Sequence, residues 1–324
     1  MTSIENHDDE ILDAARRALG GGSGTDALCA LGFWELLPDL GDAKVRAAVF
    51  ALFRAQGREL ASSAALGALA AQPFLEAAGA APGGFALTFT RRSARRGLVT
   101  VVAGDVSGMQ LLVDRPGAGA WLVDAGRAAL EPIAIPGRLT LCEVELAPGA
   151  EQRFLAEDDA CRARARSAFL GRIALAHEIL GAAEGALALA IEHAGAREQF
   201  GEPIGRFQAV RHLLAWAATD CTAIASAASE AVALDAAAPP RYDEIVKALA
   251  GRNGRRCCER ALQVLGAIGF TADHDHHHFH GRVLALDALL GSSATQTREL
   301  GAWLRTTRTD PRLPSSMLLN RAIV

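Results

Sequence analysis

A chain of 324 residues, half of them apolar and with a formal net charge of −4, is long enough for a large core and two or three structural units. No stretch concentrates lysine and arginine as a nucleic-acid footprint would, so no nucleic-acid partner is expected. The six cysteines show no CxxC spacing for zinc or redox work and read as reduced, mostly buried thiols. The opening MTSIENHDDE is acidic where a targeting peptide would be basic, and no apolar run reads as long enough to cross a bilayer. The expectation is a cytoplasmic protein with no membrane partner.

In chain order, apolar residues recur at three- and four-residue spacing from Ile11 to about Gln72, interrupted at Gly20-Gly21-Gly22 and Leu37-Pro38-Asp39, and predict a helical unit over residues 1–82. From Gly84 to about Leu146 the texture changes to the short apolar runs FALTF, LVTVV, MQLLVD, AWLVD and LCEVEL, separated by glycine, proline and aspartate, which predict a small β unit over 83–150. From Arg162 to Arg308 the helical period returns, with Val210, Leu213, Leu214, Ala217, Cys221 and Ile224 marking one face, and predicts a four-helix bundle within 151–324. The fold class is therefore mainly α with a small central β domain.

Two motifs sharpen this. REQFGEPIGRFQAV, from Arg197, resembles the R-x-x-F-G, P-I and F-Q pattern of the acyl-CoA dehydrogenase family, and ALQVLGAIGFTADHD, from Ala261, resembles its Q-x-x-G-G-x-G-[FY]-T segment. The resemblance implies that family's fold: helical domain, β domain, four-helix bundle. It also implies FAD lying across a subunit boundary, its pyrophosphate and adenosine end gripped by these two segments for the neighbouring subunit. On the matching positions Arg197 holds phosphate oxygens, a task suited to an always-charged guanidinium with paired donors. Phe200 packs on the adenosine, Gly201 follows it in the turn, Gln208 and Gln263 hydrogen-bond the cofactor, and Gly266 lets the backbone come close. Ala267 replaces the family's next glycine, which loosens the approach. Singly, such an arginine or glutamine is ordinarily a helix cap or a surface residue; the functional reading rests on the set occurring in order.

The family's chemistry needs a carboxylate to remove the α-proton of a thioester while the flavin takes the β-hydride. The usual glutamate of an E-G-[TS] segment aligns with Leu290, and the alternative position on the first bundle helix aligns with Gly171, just before Arg172. Neither residue is a base. Asp287 and Glu178 lie on suitable helical faces, but a displacement of one turn is ~5 Å along the axis, and a solvated carboxylate is the simpler reading of each. No catalytic residue is assigned. The L-T-E-P-x-A-G-S-D stretch that cradles a subunit's own flavin ring is also missing from FALTFTRRSARRGLVTVV, and T-S-Q is reduced to Ser292, Ser293 and Ala294.

What is degraded serves a subunit's own flavin; what survives serves a neighbour's. The resemblance is accordingly to the catalytically degenerate subunit of actinobacterial heteromeric acyl-CoA dehydrogenases. It implies a catalytic partner subunit, an α2β2 assembly and an acyl-CoA, possible bulky or steroid side chains included, bound in the partner's site. A structural or regulatory paralogue that binds no flavin is the alternative. The HDHHHFH run from His274 to His280 reads as a pH-sensitive patch, not a metal site, and Arg91–Arg96 as a solvated loop before a CoA-phosphate contact.

Overall fold

The computed structural model describes residues 12–20, 24–93, 97–147 and 149–307. The acidic opening MTSIENHDDE, Gly21-Gly22 of the glycine run and residues 94–96 of the arginine-rich loop lie outside the described residues, as do the side chains of Arg91 and Arg92.

The chain begins with helices α1 (residues 12–19), α2 (Gly24–Ala30), α3 (Phe33–Leu36), α4 (Ala43–Arg58) and α5 (Ala65–Ala78). Asp42 caps α4 by accepting from the backbone N–H groups of Lys44 and Val45 at 2.7 and 3.3 Å. Those two donors also hold its carboxyl below the usual carboxylate range. Helix α5 runs through Pro73 to a left-handed Gly79 cap, past the point where the periodic pattern breaks off at Gln72. It is buried from Ala65 to Leu75, so packing offsets the hydrogen bond that proline removes.

Eight strands follow, arranged as two four-stranded sheets, β1-β4-β5-β8 and β2-β3-β7-β6. The members are β1 (Phe85–Leu87), β2 (Phe89–Ser93), β3 (Gly97–Ala103), β4 (Gln110–Arg115), β5 (Gly119–Asp124), β6 (Ala128–Pro132), β7 (Leu141–Leu146) and β8 (Gln152–Leu155). The run FALTF is thus two strands, not one. Thr88 turns the chain between sheets, its N–H and hydroxyl both donating to the Leu112 carbonyl at 2.9 and 3.2 Å. The alternation reading misses β6 and β8 because their sequences, AALEP and QRFL, are mostly exposed and carry no apolar stripe. Val102, Val106, Leu111, Val123 and Val144 fill the space between the sheets.

The remaining helices are α6 (Glu157–Ala196), α7 (Gln208–Leu234), α8 (Tyr242–Leu265), α9 (His276–Asp287) and α10 (Ser293–Thr307). The expected fourth helix is broken into α9 and α10 at Leu290-Gly291, where both residues adopt positive φ. Ala217, Cys221 and Ile224 of the anticipated α7 face are buried. Helix α6 is, contrary to the sequence expectation, long and apolar enough to cross a membrane by length and composition. That window is 78% buried inside the protein, because α4, α5, α7, α8 and α9 surround the helix. All six cysteines are free; Cys142, Cys221, Cys257 and Cys258 are buried, whereas Cys29 and Cys161 are exposed.

Near the middle of α6, Glu178 accepts two bonds from fully buried Arg282 of α9, at 3.0 and 2.6 Å. Arg282 also donates to the carbonyls of Gly137, in the β unit, and Ala61, between α4 and α5. Gly137 has φ +112°, and a Cβ there would lie 2.6 Å from the Arg282 backbone, so only glycine permits this contact. Arg282→Met should cost about 3–5 kcal/mol by leaving the Glu178 charge buried and unpaired, and the double variant with Glu178→Met should be less destabilised than the single. Urea unfolding midpoints of the three proteins check this; a loss under ~1 kcal/mol for the single variant would contradict it.

Candidate functional site

The two positions at which the sequence leads one to look for a base face each other. A Cβ built on Gly171 of α6 would lie 2.5 Å from Leu290 Cδ1 in the loop after α9, so the leucine side chain occupies the space the glycine leaves. Leu290 holds φ +52°, a left-handed conformation that a non-glycine residue adopts at a cost of about 1–2 kcal/mol. Its neighbours fix it there. Arg172 and Gln296 both donate to the Leu290 carbonyl at 3.2 Å, and Lys247 donates to the Asp287 and Gly291 carbonyls at 3.0 and 3.4 Å. Arg172 is itself held by Asp243 at 2.6 Å. Three side chains thus hold the loop, and Leu290, which it carries against Gly171, cannot accept a proton.

Both nearby carboxylates are engaged by other groups. Asp287 accepts from the N–H and hydroxyl of Ser293, both at 3.0 Å, capping the start of α10, and lies 3.6 Å from Lys247 Nζ. Glu178 is only 1% exposed and is consumed by Arg282. Lys247, which the sequence reading passed over, is fully buried, and burial pulls its pKa down to about 8 against the opposing pull of Asp287. One of only two lysines in the chain, set in an apolar helix stretch, it was a signal open to inspection.

The second set of residues lies at the far end of α6. Arg197 follows that helix; its N–H donates to the His193 carbonyl and its own carbonyl accepts from Ile204 N–H, both at 2.8 Å. These bonds close a hairpin of β9 (Glu198–Gln199) and β10 (Glu202–Pro203) with Phe200 and Gly201 at its tip. Both tip residues have positive φ, +57° and +84°, the geometry of a type I′ turn. The turn aims Phe200 outward, 94% exposed and touched edge-on by Phe207. Gln208 is exposed at the first position of α7, and Gln263 is exposed near the end of α8. Gly266 takes φ +64°, ψ −140°, a region open only to glycine, and exposed Ala267, Ile268 and Phe270 follow it. The side chains of Arg197, Gln208 and Gln263 have no hydrogen-bond partner among the described residues. His193 links the two segments: burial lowers its pKa, and His274 and then Arg197 lower it further. An anion near this trio would relieve that repulsion.

The histidine run starts α9, with the rings of His277 and His278 3.9 Å and those of His276 and His280 5.9 Å apart. His276 is buried with Nε2 2.9 Å from the Cys258 carbonyl, His277 Nδ1 lies 2.8 Å from the His274 carbonyl, and no group able to hold a metal occurs among the described residues.

A sequence profile described as "Acyl-CoA dehydrogenase, C-terminal domain" matches residues 164–304, the span holding Gly171, the hairpin and Leu290. Over that span the chain is similar to the C-terminal domain of acyl-CoA dehydrogenases. It is 36% identical over 140 residues to acyl-CoA dehydrogenase FadE34 of Mycobacterium tuberculosis, covering 42% of this chain and 19% of that protein. With acyl-CoA dehydrogenase IpdE2 of the same organism it shares 35% over 130 residues, 40% of this chain and 39% of the relative. The chain therefore spans less than half the length of these relatives. The fold is similar to the Tcur3481-Tcur3483 steroid ACAD G363A variant, with TM-score 0.76 and 21% identity over 95% of this chain and 100% of that one. It is also similar to the ChsE4-ChsE5 complex of Mycobacterium tuberculosis, with TM-score 0.69 and 22% identity over 95% and 96% of the two chains.

The buried lysine makes the loop sensitive to alkali in a defined direction. Unfolded Lys247 keeps its proton up to its ordinary pKa near 10.5, whereas folded Lys247 releases it near 8. Between those values the unfolded state binds more protons, so stability relative to Lys247→Met should rise with pH across that window. Unfolding curves of both proteins at several pH values between 7.5 and 10.5 check it, and parallel profiles would contradict it.

Proposed function

We propose that this chain is the non-catalytic subunit of a heteromeric, FAD-dependent acyl-CoA dehydrogenase. It supplies adenosine and pyrophosphate contacts to a flavin held mainly by a catalytic partner, which desaturates an acyl-CoA thioester between its α and β carbons. The observation that carries this reading is the Leu290–Gly171 contact: the apparatus that positions a base is present, and an aliphatic side chain stands in the base's place. The residues fit the adenosine half of the cofactor. Arg197, Gln208 and Gln263 offer unpartnered donors, Phe200 offers an uncovered ring, and nothing lies within 4 Å of a Cβ built on Gly266, leaving room for a close backbone approach. When bound, the flavin supplies the acceptor for the β-hydride; this chain's residues bind and orient its far end.

Two further points support the reading. Structural neighbours named as pairs, ChsE4-ChsE5 and Tcur3481-Tcur3483, give a precedent for two unlike chains, and the second is named a steroid ACAD. An α2β2 arrangement in the cytoplasm with a bulky, steroid-like thioester in the partner's site is the corresponding assembly.

In the complex, Arg197→Ala should remove a charge-assisted contact of roughly 1.5–3 kcal/mol and weaken flavin about ten- to hundredfold, with activity restored by added FAD and not by FMN. Flavin retained per complex after gel filtration, for wild type, Arg197→Ala and Gln263→Ala with oligomer size checked, is the measurement. Unchanged retention in both variants would favour the flavin-free paralogue. Asp287→Asn, by contrast, should leave turnover of the complex nearly unchanged while lowering stability, since this carboxylate caps α10. A ~10²-fold or larger fall in turnover with flavin content intact would move proton abstraction onto this chain.

A further inference from the structure

Away from both regions, a cavity of about 360 Å³ opens between α1, the end of α4 and the second half of α6. Its wall at Glu184 is thirteen residues beyond Gly171 on the same helix, roughly 20 Å along the axis, so it is separate from the base position. Three arginines meet there with an aliphatic wall that includes Leu12, Leu187 and Ile191. Two of the three are matched: Arg54 forms a fork to Glu184 at 2.6 and 3.0 Å, and Arg16 reaches Glu59 at 2.9 Å. The third, Arg58, has no hydrogen bond or ion pair among the described residues and is half-buried. Burial and then the adjacent Arg16 charge lower its pKa, and the charges of Glu184 and Glu59 oppose that in part.

We propose that this cavity binds a small organic carboxylate with a short aliphatic body, its carboxylate on Arg58 and its chain against Leu187 and Ile191. The volume falls at the low end of the roughly 300–1,000 Å³ typical of ligand pockets, too small for a whole CoA thioester. A lone planar guanidinium matches a carboxylate through paired N–H donors. Glu184 in the wall, with Glu59 paired to the lining Arg16, disfavours a dianion, which selects a monoanion over phosphate. Ile191, 53% exposed, is the part of the wall with the most apolar surface left to cover. The site is independent of the flavin reading, since none of its residues belongs to the Arg197 or Gln263 segments.

The test is calorimetric titration of the full chain, in the oligomer in which it purifies, with hexanoate, hexanamide, acetate and inorganic phosphate. Hexanoate should bind, hexanamide should not, and phosphate should bind more weakly than hexanoate. Arg58→Gln should weaken hexanoate about tenfold or more and Arg58→Lys less, whereas Ile191→Ser should weaken hexanoate and leave acetate unchanged. Absence of hexanoate binding, equal binding of hexanamide, or unchanged affinity in a correctly assembled Arg58→Gln would overturn the proposal. The hexanoate–hexanamide comparison on the unsubstituted protein decides even if Arg58→Gln fails to assemble.

Discussion

The Glu178–Arg282 ion pair is the constraint on which the other placements depend. A single guanidinium with no solvent exposure touches α6, the α4–α5 connection and the β unit at once, so these parts share one fixed point. Such a pair contributes little net stability against an apolar alternative, because desolvation offsets the attraction. Its effect is on register. With Arg282 anchored, the end of α9 falls where Lys247, Arg172 and Gln296 can take hold of the following loop, and Leu290 is delivered to Gly171. The same pair engages one Glu178 oxygen twice, from Nε and Nη2 of Arg282.

The two ends of α6 are built in opposite ways. The loop after α9 keeps a strained leucine and three converging side chains, an arrangement suited to presenting a catalytic group and out of proportion for one more core contact. At the other end of α6, the hairpin does the reverse of core packing. It spends an unfavourable φ on Phe200 in order to leave the ring uncovered, a choice that forfeits roughly 1.5–3 kcal/mol of burial unless a second surface arrives. A closed, self-occupied interior and an open periphery are consistent with a subunit whose contribution is made across an interface.

Helix α6 joins the two ends. Its many alanines and glycines let neighbouring helices approach closely on every side, which is why it is apolar all round and satisfies the composition of a membrane span while being a core helix. One continuous helix carries Gly171, Glu178, Glu184 and His193 in fixed order and ends at the hairpin root, Arg197.

The sequence by itself determined the order helices, strands, helices, part of the buried face of α7, and the glycine-bearing turn after α6, because periodicity and turn residues are local properties of the chain. It also determined that positions 290 and 171 hold no base, since that is a matter of residue identity. It could not separate β1 from β2 or find β6 and β8: β1 and β8 pair with the non-consecutive strands β4 and β5, and β6, although it pairs with the next strand β7, carries too weak an apolar pattern of its own. Only the tertiary structure decided what Asp287, Glu178 and Lys247 do. Each is an ionisable side chain on a helix, and whether it is a solvated charge, a cap or half of a buried pair depends on what is placed against it: Ser293, six residues on, for Asp287, and a second helix 40 and 104 residues away for Lys247 and Glu178. That partner is set by packing of the whole core, a global property no short window of sequence contains.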